Sequence, residues 1–306
     1  MNEKILITGA AGFIGSHLFN RLASQGNKVL GLDNYDHPCG AEIPCQMCDV
    51  RYPSLMNELV KESDIVYHLA AQTHVDRSYD EEKLTFDVNV GGTENVLKAC
   101  RIHGKKLVYA GSAEVYGTAA MESISEGHPL NPQSPYARSK KAAEDLCIEY
   151  AKRHGLDVRI LRSFNTYGPF QNNNRYGAVI PIFIKRILNG QSPEIFGAGN
   201  QTRDFMYIDD AVDAYRVATE KANAGEPLNF GTGSETSIND LAALILRLLG
   251  SNLTPVHAEP RPDEVMKLKA DITRARGLGF GPKISLEDGL KKYIGWYRNR
   301  IVQQDT

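Results

Sequence analysis

The sequence predicts an α/β protein: a doubly wound parallel sheet followed by a smaller C-terminal α/β domain. Three observations carry that reading. Apolar runs of four to six residues alternate with longer helix-period segments through the first half, the pattern of βαβ units. A glycine-rich turn joins the first run to the first helical segment. Near Asn165 the texture changes to glycine- and proline-punctuated loops, which marks a domain boundary.

Taken in order, Lys4–Thr8 reads as a buried strand, and the helix after the glycine turn runs from Ile14 to Ser24. Strands follow at Val29–Asp33, Cys45–Val50, Asp64–His68, Lys106–Ala110 and Val158–Arg162. Helices Thr93–His103 and Ala137–His154 lie between the later ones. In the second half, Tyr167–Tyr176, Gly197–Thr202 and Gly231–Thr236 read as loops, and Ile238–Leu249 and Leu286–Arg298 as helices. Phe205–Ile208 and the helix after it are expected to return to the sheet, with Asp209 and Asp210 capping that helix. The expected first domain is 1–164 plus about 203–230, and the second is 165–202 plus 231–306. There is no internal repeat and no low-complexity tract.

Composition narrows the partners. A chain of 306 residues buries about 75% of its unfolded surface and needs no disulfide or metal staple. Lys and Arg number 35 against 37 Asp and Glu, so the basic footprint of a nucleic-acid binder is missing. No run approaches the roughly 20 apolar residues of a membrane span, and Met1–Leu6 does not read as a signal peptide. Five cysteines without framework spacing fit a reducing compartment, so a soluble, cytoplasmic protein is expected. His37, Cys39, Cys45 and Cys48 raise a zinc site. On a strand, however, residues three apart face opposite sides, so Cys45 and Cys48 diverge and no metal is expected.

Gly9-Ala-Ala-Gly12-Phe-Ile-Gly15 directly follows the first strand and opens the first helix. Backbone N–H groups and a helix N-terminus at that position cradle a pyrophosphate. Asp33 closes the second strand, where a carboxylate bonds ribose hydroxyls and repels a 2′-phosphate. Together these predict a dinucleotide site that prefers NAD to NADP.

Tyr136-Ala-Arg-Ser-Lys140 places a phenol and an ammonium on one helix face. A nearby cation lowers a phenol's pKa, which makes Tyr136 a candidate base. The strand before it ends in Gly111-Ser112-Ala-Glu114-Val-Tyr-Gly117, at the sheet edge where open α/β proteins bind ligands. Ser112 can donate to an alkoxide or ketone oxygen, and Glu114 is a candidate second acid/base, against the plainer reading of a solvated loop carboxylate.

Gly9–Gly15, His68-Leu-Ala-Ala-Gln72, Asn89-Val-Gly-Gly-Thr93, Ser112–Gly117, Tyr136 with Lys140, and Arg203-Asp-Phe205 occur in this order. They resemble the extended short-chain dehydrogenase/reductase family, and more narrowly its NAD-dependent nucleotide-sugar epimerases and dehydratases, over nearly the whole chain. The resemblance implies a Rossmann-type cofactor domain and a second domain that binds a nucleotide-diphosphate sugar. It implies Ser112, Tyr136 and Lys140 as a catalytic triad. Gly9, Gly12, Phe13, Ile14, Gly15, Asp33, Asn34 and Asn89 would hold NAD together with Tyr136 and Lys140. Asp49 and Val50 would flank the adenine, and Leu69, Ala70 and Ala71 would line the cofactor cleft. Asn165, Arg203 and Arg261 would hold the substrate's diphosphate, for which the arginine fork is suited. The stripe Ala142, Leu146, Tyr150, with Val96–Ala99, would form half of a homodimer bundle, although it also reads as plain core. A non-catalytic dinucleotide sensor on this fold would not need Ser112, Tyr136 and Lys140 together.

The family's shared first step is hydride transfer from sugar C4 to NAD while Tyr136 takes the O4 proton. Glu114 beside Ser112 then favours a 4,6-dehydratase, with the carboxylate removing the C5 proton. Ala71–Ser78 and Glu114–Ala119 also resemble the dehydratase branch. Ala113 departs from it, standing where deoxythymidine-diphosphoglucose dehydratases carry an aspartic acid that protonates the leaving hydroxyl. Glu114 or a water would then do both jobs. The alternative is a 4-epimerase of the UDP-glucose or UDP-N-acetylglucosamine type, then a UDP-glucuronate decarboxylase. His74 reads either as a neighbour of the sugar or as an ordinary hydrogen-bonded histidine. The loops Phe170–Ala178 and Ser192–Thr202 are expected to contact the nucleotide, without deciding its base.

Overall fold

A computed structural model describes residues 3–35, 39–172, 177–261 and 264–304, the side chains of 301–304 excepted. The first half forms β1 (Lys4–Thr8), α1 (Phe13–Ser24), β2 (Lys28–Asp33), β3 (Cys45–Met47), α2 (Pro53–Lys61), β4 (Ile65–His68), α3 (Val75–Asp80) and α4 (Glu82–Phe86). A π-helical turn over Asp87–Gly92 leads into α5 (Thr93–His103) and β5 (Lys106–Ser112). A 3₁₀ turn at Ala113–Tyr116 precedes α6 (Pro135–His154), β6 (Val158–Ser163) and β7 (Asn165–Tyr167). Then come α7 (Val179–Leu188), β8 (Glu194–Phe196), β9 (Thr202–Arg203), β10 (Phe205–Tyr207), α8 (Ile208–Lys221) and β11 (Pro227–Phe230). The chain closes with β12 (Thr236–Ser237), α9 (Ile238–Leu249), β13 (Val256–Ala258), β14 (Lys267–Leu268), α10 (Thr273–Gly277) and α11 (Leu286–Gln304).

Seven strands form one parallel sheet in the order β11-β6-β5-β4-β1-β2-β3. The order reverses between β1 and β4, and the crevice beyond the strand ends at such a switch point is where ligands sit. Continuous apolar strands suit a sheet covered on both faces, and all four residues of β4 are buried. Within β1 the period of two divides the core. Ile5 and Ile7 join one apolar cluster and Leu6 the other. On the Leu6 side α5 packs between α2 and α6. The Ile5 side is covered by α1 and α8, and its cluster continues through Phe183, Ile195, Leu241 and Ile245 into the second half. The helix that carries Tyr136 is punctuated at both ends. Ser134 caps it by accepting from the Ala137 N–H at 3.1 Å, Pro135 follows, and Gly155 ends it in the left-handed region.

Several expectations are corrected. The strand Phe205–Tyr207 pairs with β7 in a ladder of its own, while α8 packs on α1 and β6 and β11 returns to the sheet. Asp209 and Asp210 do not cap α8, which has no side-chain cap. Asp210 instead accepts from the Lys283 and Ile284 N–H groups, tying α8 to the segment before α11. Val96, Leu97 and Ala99 are buried within this chain, while Ala142, Leu146 and Tyr150 of the same stripe are half-buried. Helix α7 has no counterpart among the expected elements, although Ile180, Phe183, Ile184 and Ile187 recur at helical spacing on its buried face. The third strand stops at Met47, short of Val50. His37 and loop residues 173–176 lie outside the described residues, and among those described no cluster could hold a metal ion. Among them, too, no helix is long and apolar enough to cross a membrane.

Candidate active site and cofactor cleft

One cavity of about 1920 Å³ runs along the C-terminal ends of the strands, from the glycine turn to the second half of the chain. Gly9, Gly12, Phe13, Ile14, Gly15, Asp33, Asn34, Asp49, Val50, Leu69, Ala70 and Ala71 line one arm. Ser112, Glu114, Tyr136 and Lys140 sit at its centre, and Asn165, Arg203 and Arg261 line the other arm.

The glycine turn is built for close approach. Gly9 has φ +73°, and a Cβ there would lie 2.7 Å from the Ala70 nitrogen. A Cβ on Gly15 would lie 2.1 Å from the Gly9 carbonyl oxygen. Helix α1 starts at Gly12 with no side-chain cap and no acid in its first turn. Its leading N–H groups and positive dipole end are therefore offered to an anion. Asp33 braces the same turn: Oδ2 accepts from the Ala11 N–H at 2.9 Å and Oδ1 from that of Tyr35 at 2.8 Å. Its remaining lone pairs stay available to a diol. Asp49 is held by Arg51 at 2.6 Å, which keeps its carboxyl below the usual range. These features fit a dinucleotide: a diphosphate cradle, a carboxylate for the ribose, and an apolar wall of Val50 and Leu69–Ala71 for flat rings.

Asn89 belongs elsewhere. It is buried, does not line the cleft, and supports the cleft wall from behind. Its Oδ1 accepts from the Gln72 N–H at 2.8 Å, and its Nδ2 donates to the Gln72 carbonyl and to Ser139 Oγ. The π-helical turn supplies this geometry, an irregularity of a kind found often at functional sites. His68 is equally internal. Its ring joins Thr8 Oγ1 at 2.7 Å to Thr93 Oγ1 at 3.0 Å, and burial pushes its pKa down to about 3, so it stays neutral. His74, by contrast, does line the cleft.

At the centre, Ser112 ends β5 and caps the 3₁₀ turn, its Oγ accepting from the Glu114 N–H at 3.2 Å. Tyr136 and Ser112 are hydrogen-bonded through their side chains. Lys140 Nζ donates to the Ala110 carbonyl at 2.6 Å and lies 4.6 Å from the centroid of the Tyr109 ring. The expected lowering of the phenol by Lys140 does not dominate here. Burial pushes Tyr136 up to about 12, with the Ser112 hydrogen bond opposing it, and pushes Lys140 down to about 8. Glu114 is also raised by burial, against the Arg203 charge and with the help of Glu264. It is no solvated loop carboxylate. Ala113 is buried beside it and has no proton to give.

In the other arm Arg203 is already engaged. It donates to Glu264 Oε1 and to the Val265 carbonyl, both at 2.6 Å. Arg261 lies 4.3 Å from the centroid of Phe196. Asn165 lines the same arm, and its Oδ1 is buried with no hydrogen-bond partner among the described residues. Glu264 stands in the Arg261–Glu264 motif, yet nothing local in the sequence reveals its pairing. Phe170, Trp296 and Arg300 also line the cleft, and no motif announces them.

Residues 5–231 match the NAD dependent epimerase/dehydratase family. The chain is 36% identical to a UDP-glucose 4-epimerase of Mycolicibacterium smegmatis, over 97% of this chain and 99% of that one. It is 35% identical to a UDP-N-acetyl-alpha-D-glucosaminuronate decarboxylase of Bacillus cytotoxicus, over 97% and 98%. It superposes with a TM-score of 0.89 on the dTDP-glucose 4,6-dehydratase DesIV of Streptomyces venezuelae, crystallised with NAD and TYD, at 30% identity and 98% coverage of both.

Proposed function

The chain belongs to the NAD-dependent epimerase/dehydratase family and is an enzyme of that type, and from this premise we propose a 4,6-dehydratase of nucleoside-diphosphate hexoses. The single observation that carries the choice is Glu114, a half-buried, desolvated carboxyl lining the cleft near Arg203 and beside the Ser112–Tyr136 pair. Bound NAD supplies a hydride acceptor and donor. Tyr136 takes the proton of the sugar O4, and Ser112 donates to that oxygen as it becomes a ketone. Lys140, one turn along α6, adds positive charge near the phenol. Glu114 then takes the C5 proton, which the neighbouring ketone has made acidic. It returns a proton to the C6 hydroxyl as that group leaves as water, and the product is completed when C6 takes back the hydride and C5 takes a proton from solvent. Burial brings the charged and neutral forms of Glu114 closer in energy, which suits a group that both accepts and releases a proton. The two cleft arms support a nucleotide-diphosphate sugar lying opposite NAD, with Asn165, Arg203 and Arg261 along it.

A 4-epimerase is the second reading. Ala113 provides no acid for a leaving hydroxyl, and the Mycolicibacterium relative is a UDP-glucose 4-epimerase. An epimerase needs only Ser112 and Tyr136 at O4, which leaves the half-buried Glu114 without work.

Incubation with a panel of nucleoside-diphosphate hexoses and uronates in deuterated water, followed by NMR, separates the reactions. A dehydratase gives a 6-deoxy-4-keto product carrying solvent deuterium at C5. Inversion at C4 with C5 still protonated sinks the dehydratase reading and establishes the epimerase. Loss of carbon dioxide from a uronate alone points to the decarboxylase. In the Glu114→Gln protein elimination is abolished while cofactor reduction, followed by absorbance, persists. Tyr136→Phe loses both.

A further inference from the structure

Three arginines face the cleft from the second half of the chain. Arg203 is paired with Glu264 and Arg261 rests on Phe196. Arg300, on α11, is held differently. Its guanidinium carbon lies 5.4 Å from the Phe170 centroid and 5.2 Å from the Trp296 centroid. Those two rings meet edge to face at 5.0 Å. Among the described residues no carboxylate pairs with Arg300, whose side chain lines the cleft against aromatic surfaces that cannot accept its donors as a carboxylate would.

The surroundings of Arg300 lead back to the glycine turn. Gly40 lies against it, and a Cβ there would sit 2.6 Å from Nη2. One residue earlier, the Cys39 N–H donates to the Ala11 carbonyl at 2.9 Å, and its thiol donates to Ser16 Oγ on α1 at 3.5 Å. The Phe170 ring is 5.8 Å from that of His17, which is 5.8 Å from that of Phe13 in the first turn of α1. His17 Nε2 also bonds the Pro169 carbonyl at 2.9 Å. Phe170 holds φ at +68°, a backbone that a bulky residue keeps only where its neighbours over-determine it. A strained aromatic, its ring partner and an arginine without a carboxylate among the described residues therefore converge beside the uncapped N-terminus of α1.

We propose that Arg300 is a ligand of the NAD diphosphate, closing from α11 the cradle whose other wall is the first turn of α1. The aromatic faces of Phe170 and Trp296 hold the guanidinium plane, so little side-chain entropy is lost when its fork meets phosphate oxygens. The last helix of the chain thus takes part in holding the cofactor. The inference rests on NAD binding alone, so a failed dehydratase assay leaves it standing.

Trp296 is the single tryptophan of the sequence, so intrinsic fluorescence reports on this stack. Full-length protein freed of cofactor is titrated with NAD, ADP-ribose, adenosine and UDP, by fluorescence and by calorimetry. Arg300→Gln is expected to weaken NAD and ADP-ribose by about tenfold or more, the worth of a charge-assisted phosphate contact. Adenosine and UDP affinities stay at wild-type values, and the salt dependence of NAD binding becomes shallower. Arg300→Lys, which keeps the charge and the apolar stem but loses the fork, falls between the two. Wild-type NAD affinity in a folded Arg300→Gln protein overturns the proposal. So does a loss confined to UDP, which would assign the arginine to the substrate's diphosphate. Thermal unfolding of each variant without ligand verifies folding, and if Arg300→Gln does not fold, wild-type affinity and salt dependence in Arg300→Lys refute the fork's role.

Discussion

Glu114 shows how much a single residue's surroundings alter its chemistry. Burial raises its pKa above the ordinary carboxylate value, so the folded protein disfavours the charged form more than the unfolded chain does. The sign follows by linkage. Its contribution to stability is complete below the unfolded-state pKa and is lost as pH rises through the folded one. Glu114→Gln should therefore raise the melting temperature at pH 8, and the gain should vanish near pH 4. An increment that is the same at both pH values would refute this account of the site. The residues of the site that were legible in the sequence are those whose role is local. Gly9, Gly15 and Asp33 act within one βαβ unit, and Tyr136 and Lys140 within one helical turn. Asn89, Glu264 and Arg300 were misread or missed because their partners lie far away in sequence: Ser139 for Asn89, Arg203 for Glu264, Phe170 for Arg300.

At the scale of an element, α6 is fixed to the sheet by a buried ion pair. Glu144, one turn beyond Lys140, receives Arg162 of β6 through two bonds of 2.9 and 2.5 Å, with side-chain exposures of 0% and 4%. Arg162 also donates to the Tyr116 hydroxyl at 2.6 Å, and Tyr116 donates to Asn229 Oδ1 at 2.7 Å. The network thus joins α6, the 3₁₀ turn after Ser112, β6 and β11. Removing one partner strands the other charge in the core. Glu144→Ala should cost about 3–5 kcal/mol in urea unfolding, and the double replacement Glu144→Leu with Arg162→Met should recover most of it. A loss below about 1 kcal/mol for Glu144→Ala would show that water or relaxation reaches the site. Helix α6 was legible from its helical pattern, expected over Ala137–His154 and found over Pro135–His154, where Ser134-Pro135 adds two residues at the start. The strands β9, β12 and β14 were not: two residues are too few to display an alternation.

For the whole molecule, alternation in the first half was enough to reveal the parallel sheet. The core shared between the halves was not visible, because packing across a boundary leaves no periodic trace. One apolar cluster runs from Ile5 and Ile7 through Met206 and Tyr207 to Leu290 and Tyr293. Such continuity predicts a single calorimetric transition, with van't Hoff and calorimetric enthalpies equal. Two resolved transitions would mean that the halves fold independently. The position of β11 has a consequence for synthesis as well. Strand β6 is complete at Ser163, yet its outer neighbour in the sheet is Pro227–Phe230. On a ribosome adding about 5–20 residues per second, β6 therefore waits several seconds as an open edge while residues 164–226 are made. During that interval the nascent sheet exposes unpaired backbone to other chains, so the yield of native enzyme should be most sensitive to chaperone supply while that segment is being translated.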